Sequence, residues 1–123
     1  MKRKILVSFI GAGNMSKEHI LTLQNNKRFI LKGIYSRTQN KALNLASNFK
    51  QLQNYNSIKE LYNKTKSDLV IVSISEEQYK KVMKKILNYP WICLAEKPLG
   101  LNFKEIKNIY NETVFKKKNC LSL

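Results

Sequence analysis

Short apolar runs recur along the chain, and a stretch with helical spacing of apolar residues follows each run. The runs cover residues 5–10, 29–35, 52–55, 69–74 and 91–95, of which the third is the weakest. Each has the length of a buried strand. Strands that alternate with helices cannot pair as tight hairpins, so they pair in parallel through crossover connections. The sequence therefore predicts an α/β fold, an open doubly wound parallel sheet with helices on both faces, in a single domain.

Four polar residues mark predicted helix starts. Ser57 and Ser75 each stand three residues before a Glu or Gln, which is the capping-box pattern. Asn102 stands in the same relation to Glu105, and Thr38 precedes a stretch with apolar residues at positions 42, 45, 46 and 49. A first helix is predicted over residues 15–23. The last residues, 119–123, have the composition of a further strand.

The net charge of +15 raises the possibility of a nucleic-acid partner. The basic residues, however, are 20 Lys and only 3 Arg, and the chain also has 14 Asn. Arg is the better residue for forked phosphate or base contacts, and the lysines are spread along the predicted helices. We interpret them as solvated helix faces and expect no specific nucleic-acid partner.

Membrane insertion and metal binding find little support in the sequence. No apolar run approaches the roughly 18 residues that a spanning helix needs, and the basic start lacks a following signal-peptide core. Two cysteines, Cys93 and Cys120, and a single His have no metal-site spacing. We expect a cytoplasmic protein with reduced thiols, no metal and no membrane partner.

A glycine turn follows the first predicted strand. Gly11 permits a tight exit from that strand, and Gly13 has no Cβ to keep a phosphate away from the backbone. Asn14 and Met15 then open a helix whose free N–H groups favour an anion. Ser16 replaces the third glycine of the dinucleotide fingerprint and is small enough to fit there. A purely structural turn is the alternative, but the strand-turn-helix context favours a dinucleotide.

The second predicted strand ends at Tyr35, and Ser36-Arg37-Thr38 follows it, where a dinucleotide's adenosine ribose is expected. A carboxylate there would favour NAD, and this segment has none. Arg37 could pair with a 2′-phosphate, although it could also simply be solvated. We therefore expect NADP or NAD as cofactor, with a preference for NADP.

Glu96, Lys97 and Pro98 follow the fifth predicted strand, at the edge of the sheet where such folds bind ligands. A Lys beside a nicotinamide can polarise the substrate oxygen at the carbon that exchanges hydride. A surface salt bridge at a strand end is the alternative interpretation.

Together these motifs resemble the Gfo/Idh/MocA oxidoreductases, which are NAD(P)-dependent enzymes acting mostly on sugars, inositols and related polyols. The resemblance rests on Gly11-Ala12-Gly13 with His19, on Ser36-Arg37 and on Glu96-Lys97-Pro98. It covers nearly the whole chain but only the N-terminal Rossmann cofactor domain of the family. The segments Tyr-Ser-Arg-Thr and Tyr-Pro-Trp look most like members from surface-polysaccharide or sugar-nucleotide pathways.

The resemblance also implies roles for individual residues. The resemblance and the glycine turn together imply these cofactor-binding residues: Gly11, Gly13, Asn14, Met15, Ser36, Arg37, Ser73, Ile74, Glu96 and Lys97. Lys97 is in addition the expected catalytic residue. His19 matches a family position but is expected to pack its helix. The residues after the fourth strand, Ile74-Ser75-Glu76, depart from the family's usual Thr-Pro-Asn.

In this family a second domain carries most contacts to the substrate. The resemblance therefore implies a cofactor domain over residues 1–118, the start of a further strand at 119–123, and a substrate domain that this chain lacks. We expect a truncated oxidoreductase domain without full catalytic competence, whose full-length form takes a sugar-like small molecule. A non-catalytic dinucleotide-binding or sensor module is the alternative, and the oligomeric state stays open.

Overall fold

The fold is described by a computed structural model for residues 3–97, 100, 102–115 and 120–122. The elements alternate strictly between strand and helix. They are β1 (Ile5–Ile10), α1 (Asn14–Gln24), β2 (Phe29–Tyr35), α2 (Gln39–Ser47), β3 (Gln53–Asn54), α3 (Ile58–Thr65), β4 (Leu69–Val72), α4 (Glu76–Ile86), β5 (Ile92–Ala95), α5 (Phe103–Phe115) and β6 (Cys120–Ser122).

All neighbouring strands are parallel, in the order β3-β2-β1-β4-β5-β6. The chain begins at the centre with β1, runs outward through β2 and β3, and then crosses back to β4 on the other side of β1. The predicted doubly wound parallel sheet is thereby confirmed. One irregularity interrupts the register between β1 and β2, where Val7 pairs with Leu31 but Ser8 pairs with Gly33.

The sheet has a separate apolar core on each face. Side chains of β1 alternate between the two cores, since Val7 and Phe9 lie in one and Ile10 in the other. The first core includes Ile20 from α1 and Ala42 from α2. The second core includes buried side chains of α3, α4 and α5, namely Ile58, Leu61, Tyr79, Met83, Ile86 and Ile109. Helices therefore cover both faces of the sheet.

Two elements end earlier than the sequence predicts. β4 stops at Val72 instead of residue 74, although the Ser73 amide still donates to the Ile10 carbonyl at 2.9 Å. Beyond that bond the chain turns away at the sheet edge. The helix α2 stops at Ser47, so Phe49 lies past its end and packs against the core from the following turn.

The four predicted helix starts are in place, but only two side chains cap as expected. The Ser57 hydroxyl accepts from the Glu60 amide at 3.0 Å, and Asn102 accepts from the Glu105 amide at 3.0 Å. The capping-box prediction at Ser75 is wrong, because its hydroxyl bonds the side chains of Glu77 and Gln78 instead of a backbone amide. Thr38 begins α2 without a side-chain cap.

The predicted further strand is β6, and it pairs with β5, so it extends the same sheet. Cys93 of β5 and Cys120 of β6 are register partners, and both are free thiols. A hydrogen bond with Cys120, together with burial, raises the pKa of the Cys93 thiol. The boundary at residue 118 stays a prediction.

Neither a membrane span nor a metal centre can be assigned to the described residues. None of their helices combines the length and the apolar character required to cross a bilayer. They also contain no group of three or more His, Cys, Asp or Glu side chains able to hold a metal ion.

Candidate functional site

The winding of the sheet reverses between β1 and β4, and the carboxyl ends of these strands lie side by side. Ile10 and Val72, the last residues of the two strands, are register partners. Loops leave this point in opposite directions and open a crevice, which is where open α/β sheets bind their ligands. The glycine turn comes from one strand, and Ser73 and Ile74 come from the other.

Gly11 forms the floor of this crevice. Its φ of +106° is a conformation that favours glycine, and a Cβ built on it would lie 2.1 Å from the Ser73 carbonyl oxygen. Its amide donates to the Tyr35 carbonyl at 2.8 Å. Gly11 therefore lets the loops after β1, β2 and β4 meet.

Gly13 has a different role, because it leaves space open. It is the N-cap of α1, and a Cβ built on it would meet no atom within 4 Å. Asn14 and Met15 at the start of α1 are exposed, and the first turn has no acidic side chain. The N–H groups of this turn are thus available to an anion from the crevice.

A cavity of about 310 Å³ lies over the turn. Six of the predicted cofactor-binding residues line it: Gly11, Gly13, Ser36, Arg37, Ser73 and Ile74. Five further residues that were not predicted from the sequence also line it: Ala12, Thr38, Lys41, Ser75 and Gln78. The signal for Lys41 is its place in the first turn of the helix that Thr38 begins, directly after the Arg37 segment. Asn14 and Met15 do not line this cavity but lie at the adjoining helix start.

Two cations and a hydroxyl group stand at the β2 end of the cavity. Ser36 is buried, its hydroxyl accepts from the Thr38 amide at 3.1 Å, and that hydroxyl keeps its own proton to donate. Gln39 donates to the Ser36 carbonyl at 2.7 Å and helps to fix the turn. Arg37 is exposed and lines the cavity with Lys41. This end of the cavity is suited to an anionic group.

Glu77 is a carboxylate near Arg37 that no sequence motif singled out. Hydrogen bonds from its own backbone amide and from the Ser75 hydroxyl lower the pKa of Glu77, with smaller contributions from Arg37 and Lys81. Glu77 is therefore ionised at neutral pH and partly offsets the charge of Arg37.

A second cavity, of about 200 Å³, adjoins the first and shares Gly11, Arg37, Ile74 and Gln78 with it. Its other walls are apolar in part, from Ile10, Tyr35 and Val82, and basic in part, from Lys81 and Lys85. The two cavities together offer a polar end beside the glycine turn and a more apolar slot beside α4.

Larger openings exist, but they lie away from this edge of the sheet. In the part of the chain that the structure describes, the residues that line a groove of about 650 Å³ all belong to α4 and α5. Another groove, of about 630 Å³, lies around the amino ends of β1 and β2. Neither is formed by the carboxyl ends of strands, where ligands of such folds bind.

The predicted pair Glu96 and Lys97 lies along the same edge but lines neither cavity beside the glycine turn. Glu96 follows β5, and its amide donates to the Val72 carbonyl at 2.8 Å. Its carboxylate Oε1 lies 3.2 Å from Nε2 of His19 in α1, and its carbonyl accepts from the Tyr79 hydroxyl at 2.5 Å. His19, which was expected only to pack its helix, thus has a polar partner. Lys97 is exposed.

An unpaired hydroxyl supports a polar ligand in the cavity. The Ser73 Oγ is buried, has no hydrogen-bond partner within the described part of the chain, and belongs to a residue that lines the cavity. A buried polar atom without a partner is costly, and a bound polar group would satisfy it. Open space at Gly13, free helix amides and this hydroxyl together fit a dinucleotide phosphate.

Fold and crevice define the class of protein: a dinucleotide-binding α/β domain with the Rossmann strand order. A sequence model described as "Oxidoreductase family, NAD-binding Rossmann fold" matches residues 5–123. The chain therefore belongs to the Gfo/Idh/MocA oxidoreductase family and forms its NAD(P)-binding Rossmann domain. No curated protein matches the chain.

Solved structures of similar fold come from several enzymes. GenD2 from gentamicin A biosynthesis, solved in complex with NAD, has a TM-score of 0.85 at 18% identity, and the match covers 99% of this chain and 35% of GenD2. UDP-N-acetylglucosamine 3-dehydrogenase GnnA from Acidithiobacillus ferrooxidans has a TM-score of 0.83 at 16% identity, covering 98% and 38% of the two chains.

Biliverdin reductase from Synechocystis sp. PCC 6803, in complex with biliverdin and NADP+, has a TM-score of 0.80 at 18% identity. That match covers 96% of this chain and 37% of the reductase. The chain thus spans little more than a third of these proteins, and at such identities they show the fold that it shares with them.

Proposed function

We propose that this chain is the nicotinamide-cofactor domain of an oxidoreductase that transfers hydride to or from a sugar or sugar-nucleotide-type substrate, and that it prefers NADP to NAD. The observation that carries the proposal is the open space at Gly13, where the uncapped start of α1 faces the 310 Å³ cavity. Membership of the family supports the reaction class.

The pyrophosphate would lie against Gly13 and the first amides of α1, near the unpaired Ser73 hydroxyl. Ser36 and Arg37 would hold the adenosine ribose, with Lys41 as a second cation toward a 2′-phosphate. Ile74 would pack along the cofactor, and the slot beside α4 has apolar walls suited to the adenine ring. The charge of Glu77 opposes a 2′-phosphate, but the two cations that line the cavity, Arg37 and Lys41, outweigh this single carboxylate.

Lys97 would act at the far end of the crevice. When bound, the cofactor supplies or accepts the hydride. The Lys97 ammonium would donate a hydrogen bond to the substrate oxygen on the reacting carbon and stabilise the charge that develops there. Lys97 follows β5, which pairs with β4, so it would lie along the sheet edge from the phosphate site.

The substrate class and the cellular setting rest on indirect support. GnnA is a UDP-N-acetylglucosamine 3-dehydrogenase and GenD2 comes from gentamicin A biosynthesis, which favours a sugar-like small molecule here. The two free thiols fit a reducing compartment such as the cytoplasm.

Titration of the chain with NADPH and with NADH tests the proposal. The indole of Trp91 is buried and donates to the Ile86 carbonyl at 2.8 Å. Trp91 lies at the end of β5 opposite to the crevice, so a bound cofactor would quench its emission by energy transfer. We expect saturable transfer with both cofactors and tighter binding of NADPH. No saturable change with either would refute the proposal.

The matched variant is Gly13→Ala. Because a Cβ at Gly13 meets no protein atom, the variant should fold normally and obstruct only an incoming phosphate. We expect about tenfold weaker binding, which corresponds to about 1.4 kcal/mol. Unchanged affinity in a folded Gly13→Ala variant would place the cofactor elsewhere.

A further inference from the structure

Three elements converge on Glu96, the residue directly before Lys97. The Glu96 amide is bound to β4 through the Val72 carbonyl, and its carbonyl accepts from Tyr79 of α4. Its carboxylate lies 3.2 Å from the ring of His19 in α1. Backbone donor, backbone acceptor and side chain are thus all engaged.

The contact with His19 reaches across the crevice to the helix that carries the phosphate site. His19 lies in the second turn of α1, whose first residues follow Gly13. His19 and Glu96 therefore connect α1 with the end of β5, which would lie beside the pyrophosphate and the nicotinamide of a bound dinucleotide.

Packing alone does not account for His19. The neighbouring Ile20 is fully buried and supplies the apolar contact of this turn with the core. The side chains of His19 and Glu96 each keep 23% of their surface exposed, and they meet through polar atoms. A partly exposed polar contact at this place is suited to setting the direction of the chain beyond Glu96.

We propose that His19 and Tyr79 are positioning residues that fix Glu96, and through it place Lys97 at the nicotinamide end of the crevice. This inference rests on the proposed function. In this arrangement the Glu96 carboxylate accepts a hydrogen bond from the His19 ring N–H, and Lys97 is the group that acts on the substrate. The contact needs a donor on the ring and an acceptor at position 96, so a neutral amide acceptor can replace the carboxylate.

Nuclear magnetic resonance on the full 123-residue chain tests the inference. Lysines are labelled by reductive methylation with ¹³C, which keeps their positive charge, and the Lys97 signal is identified by its loss in Lys97→Arg. NADPH is then added while the backbone amide of Gly13 is followed in a ¹⁵N-labelled sample. We expect the Lys97 and Gly13 signals to shift along one saturation curve.

The decisive variants are His19→Phe, which keeps a ring of similar bulk without a donor, and Glu96→Ala. In both, NADPH should still shift the Gly13 amide, but the Lys97 shift should fall by at least half. Glu96→Gln should restore it, because its side-chain carbonyl can still accept from His19. Thermal unfolding shows whether each variant is folded. If His19→Phe does not fold, the comparison of Glu96→Gln with Glu96→Ala still tests the inference.

Asp68→Asn is the matched control at the opposite end of the sheet. Asp68 pairs with Arg3 and accepts from the Leu6 amide, so it also links separate parts of the sheet through a carboxylate. It should leave the Lys97 shift as in the parent chain.

The outcomes separate the two proposals. If NADPH shifts neither signal, the proposed function fails and the inference fails with it. Two outcomes overturn the positioning role and leave the phosphate site in place. In the first, NADPH shifts the Gly13 signal of the parent chain but not the Lys97 signal. In the second, NADPH shifts the Lys97 signal of His19→Phe and Glu96→Ala as far as in the parent chain. A Glu96→Gln variant that behaves like Glu96→Ala also overturns the positioning role.

Discussion

The backbone of Gly11 lies against the carbonyl of Ser73 so closely that a Cβ on Gly11 would come within 2.1 Å of that oxygen. This approach joins the loop after β1 to the loop after β4 and sets the depth of the crevice. Because the φ of Gly11 is also +106°, both the space and the backbone conformation require glycine. Gly13, two residues later, is under neither constraint.

Gly11→Ala should therefore destabilise the fold, while Gly13→Ala should not. The strained φ and the overlap with Ser73 together are expected to lower the free energy of unfolding by about 2–4 kcal/mol. Urea denaturation of both variants and the parent chain measures this difference. Equal stability of the two variants would mean that the loops separate at little cost.

Arg37→Gln should weaken NADPH binding far more than NADH binding. A charge-assisted hydrogen bond to a 2′-phosphate contributes on the order of 1.5–3 kcal/mol, so we expect at least about a tenfold loss for NADPH. Competition titrations at two salt concentrations measure it. The control is Arg28→Gln, which removes the same charge before β2 at the other end of the sheet. An equal loss for NADH would contradict contact with a 2′-phosphate.

Much of the fold could be predicted from the sequence because strand-length apolar runs and helical spacing agree along the chain. The predictions failed where local signals compete with tertiary contacts. Residue 74 is a β-branched Ile, but β4 ends at Val72, and the carbonyl of Ser73 lies against Gly11 at this point. The Ser75 hydroxyl fits a capping box, yet in the structure it bonds two neighbouring side chains.

The candidate site was predictable where a motif follows a strand, as at Gly11 and Arg37. It was not predictable where a helix contributes from a distance in the sequence. The Tyr79 hydroxyl reaches the Glu96 carbonyl from α4, and nothing in the spacing of an apolar helix face distinguishes this tyrosine from a core residue. The contact of His19 with Glu96 spans 77 positions and depends on how α1 packs beside β5.

Glu77→Gln should increase the affinity for NADPH. Its own amide, the Ser75 hydroxyl and nearby cations lower the pKa of Glu77, so it carries a negative charge near Arg37 at neutral pH. Without that charge, the positive charge of Arg37 is less offset toward a 2′-phosphate. For a surface charge we expect about a twofold to fivefold gain, which diminishes as salt rises. Glu76→Gln, one residue earlier in α4, is the control, and an equal gain there would indicate a general charge effect.

Tyr79→Phe should destabilise the chain at neutral pH. The variant keeps the buried ring but leaves the Glu96 carbonyl without the hydroxyl that bonds it at 2.5 Å. The lost hydrogen bond to this partly buried carbonyl should cost about 0.5–1.5 kcal/mol. Urea denaturation measures the loss, and Tyr110→Phe, on an exposed tyrosine of α5, should change stability by less than about 0.5 kcal/mol.

The same variant should alter the alkaline limb of the stability profile. Burial raises the pKa of Tyr79 in the folded chain above the value near 10 of an unfolded tyrosine. Above about pH 10 the unfolded state therefore releases this proton while the folded state retains it, so the free energy of unfolding falls as the pH rises. Tyr79→Phe lacks this contribution, and its stability should decline less steeply than that of the parent chain between pH 9 and about 11. Urea denaturation across this range measures both chains. If their free energies of unfolding decline in parallel, the Tyr79 hydroxyl is accessible to solvent. The contact on which the placement of Glu96 depends would then be contradicted.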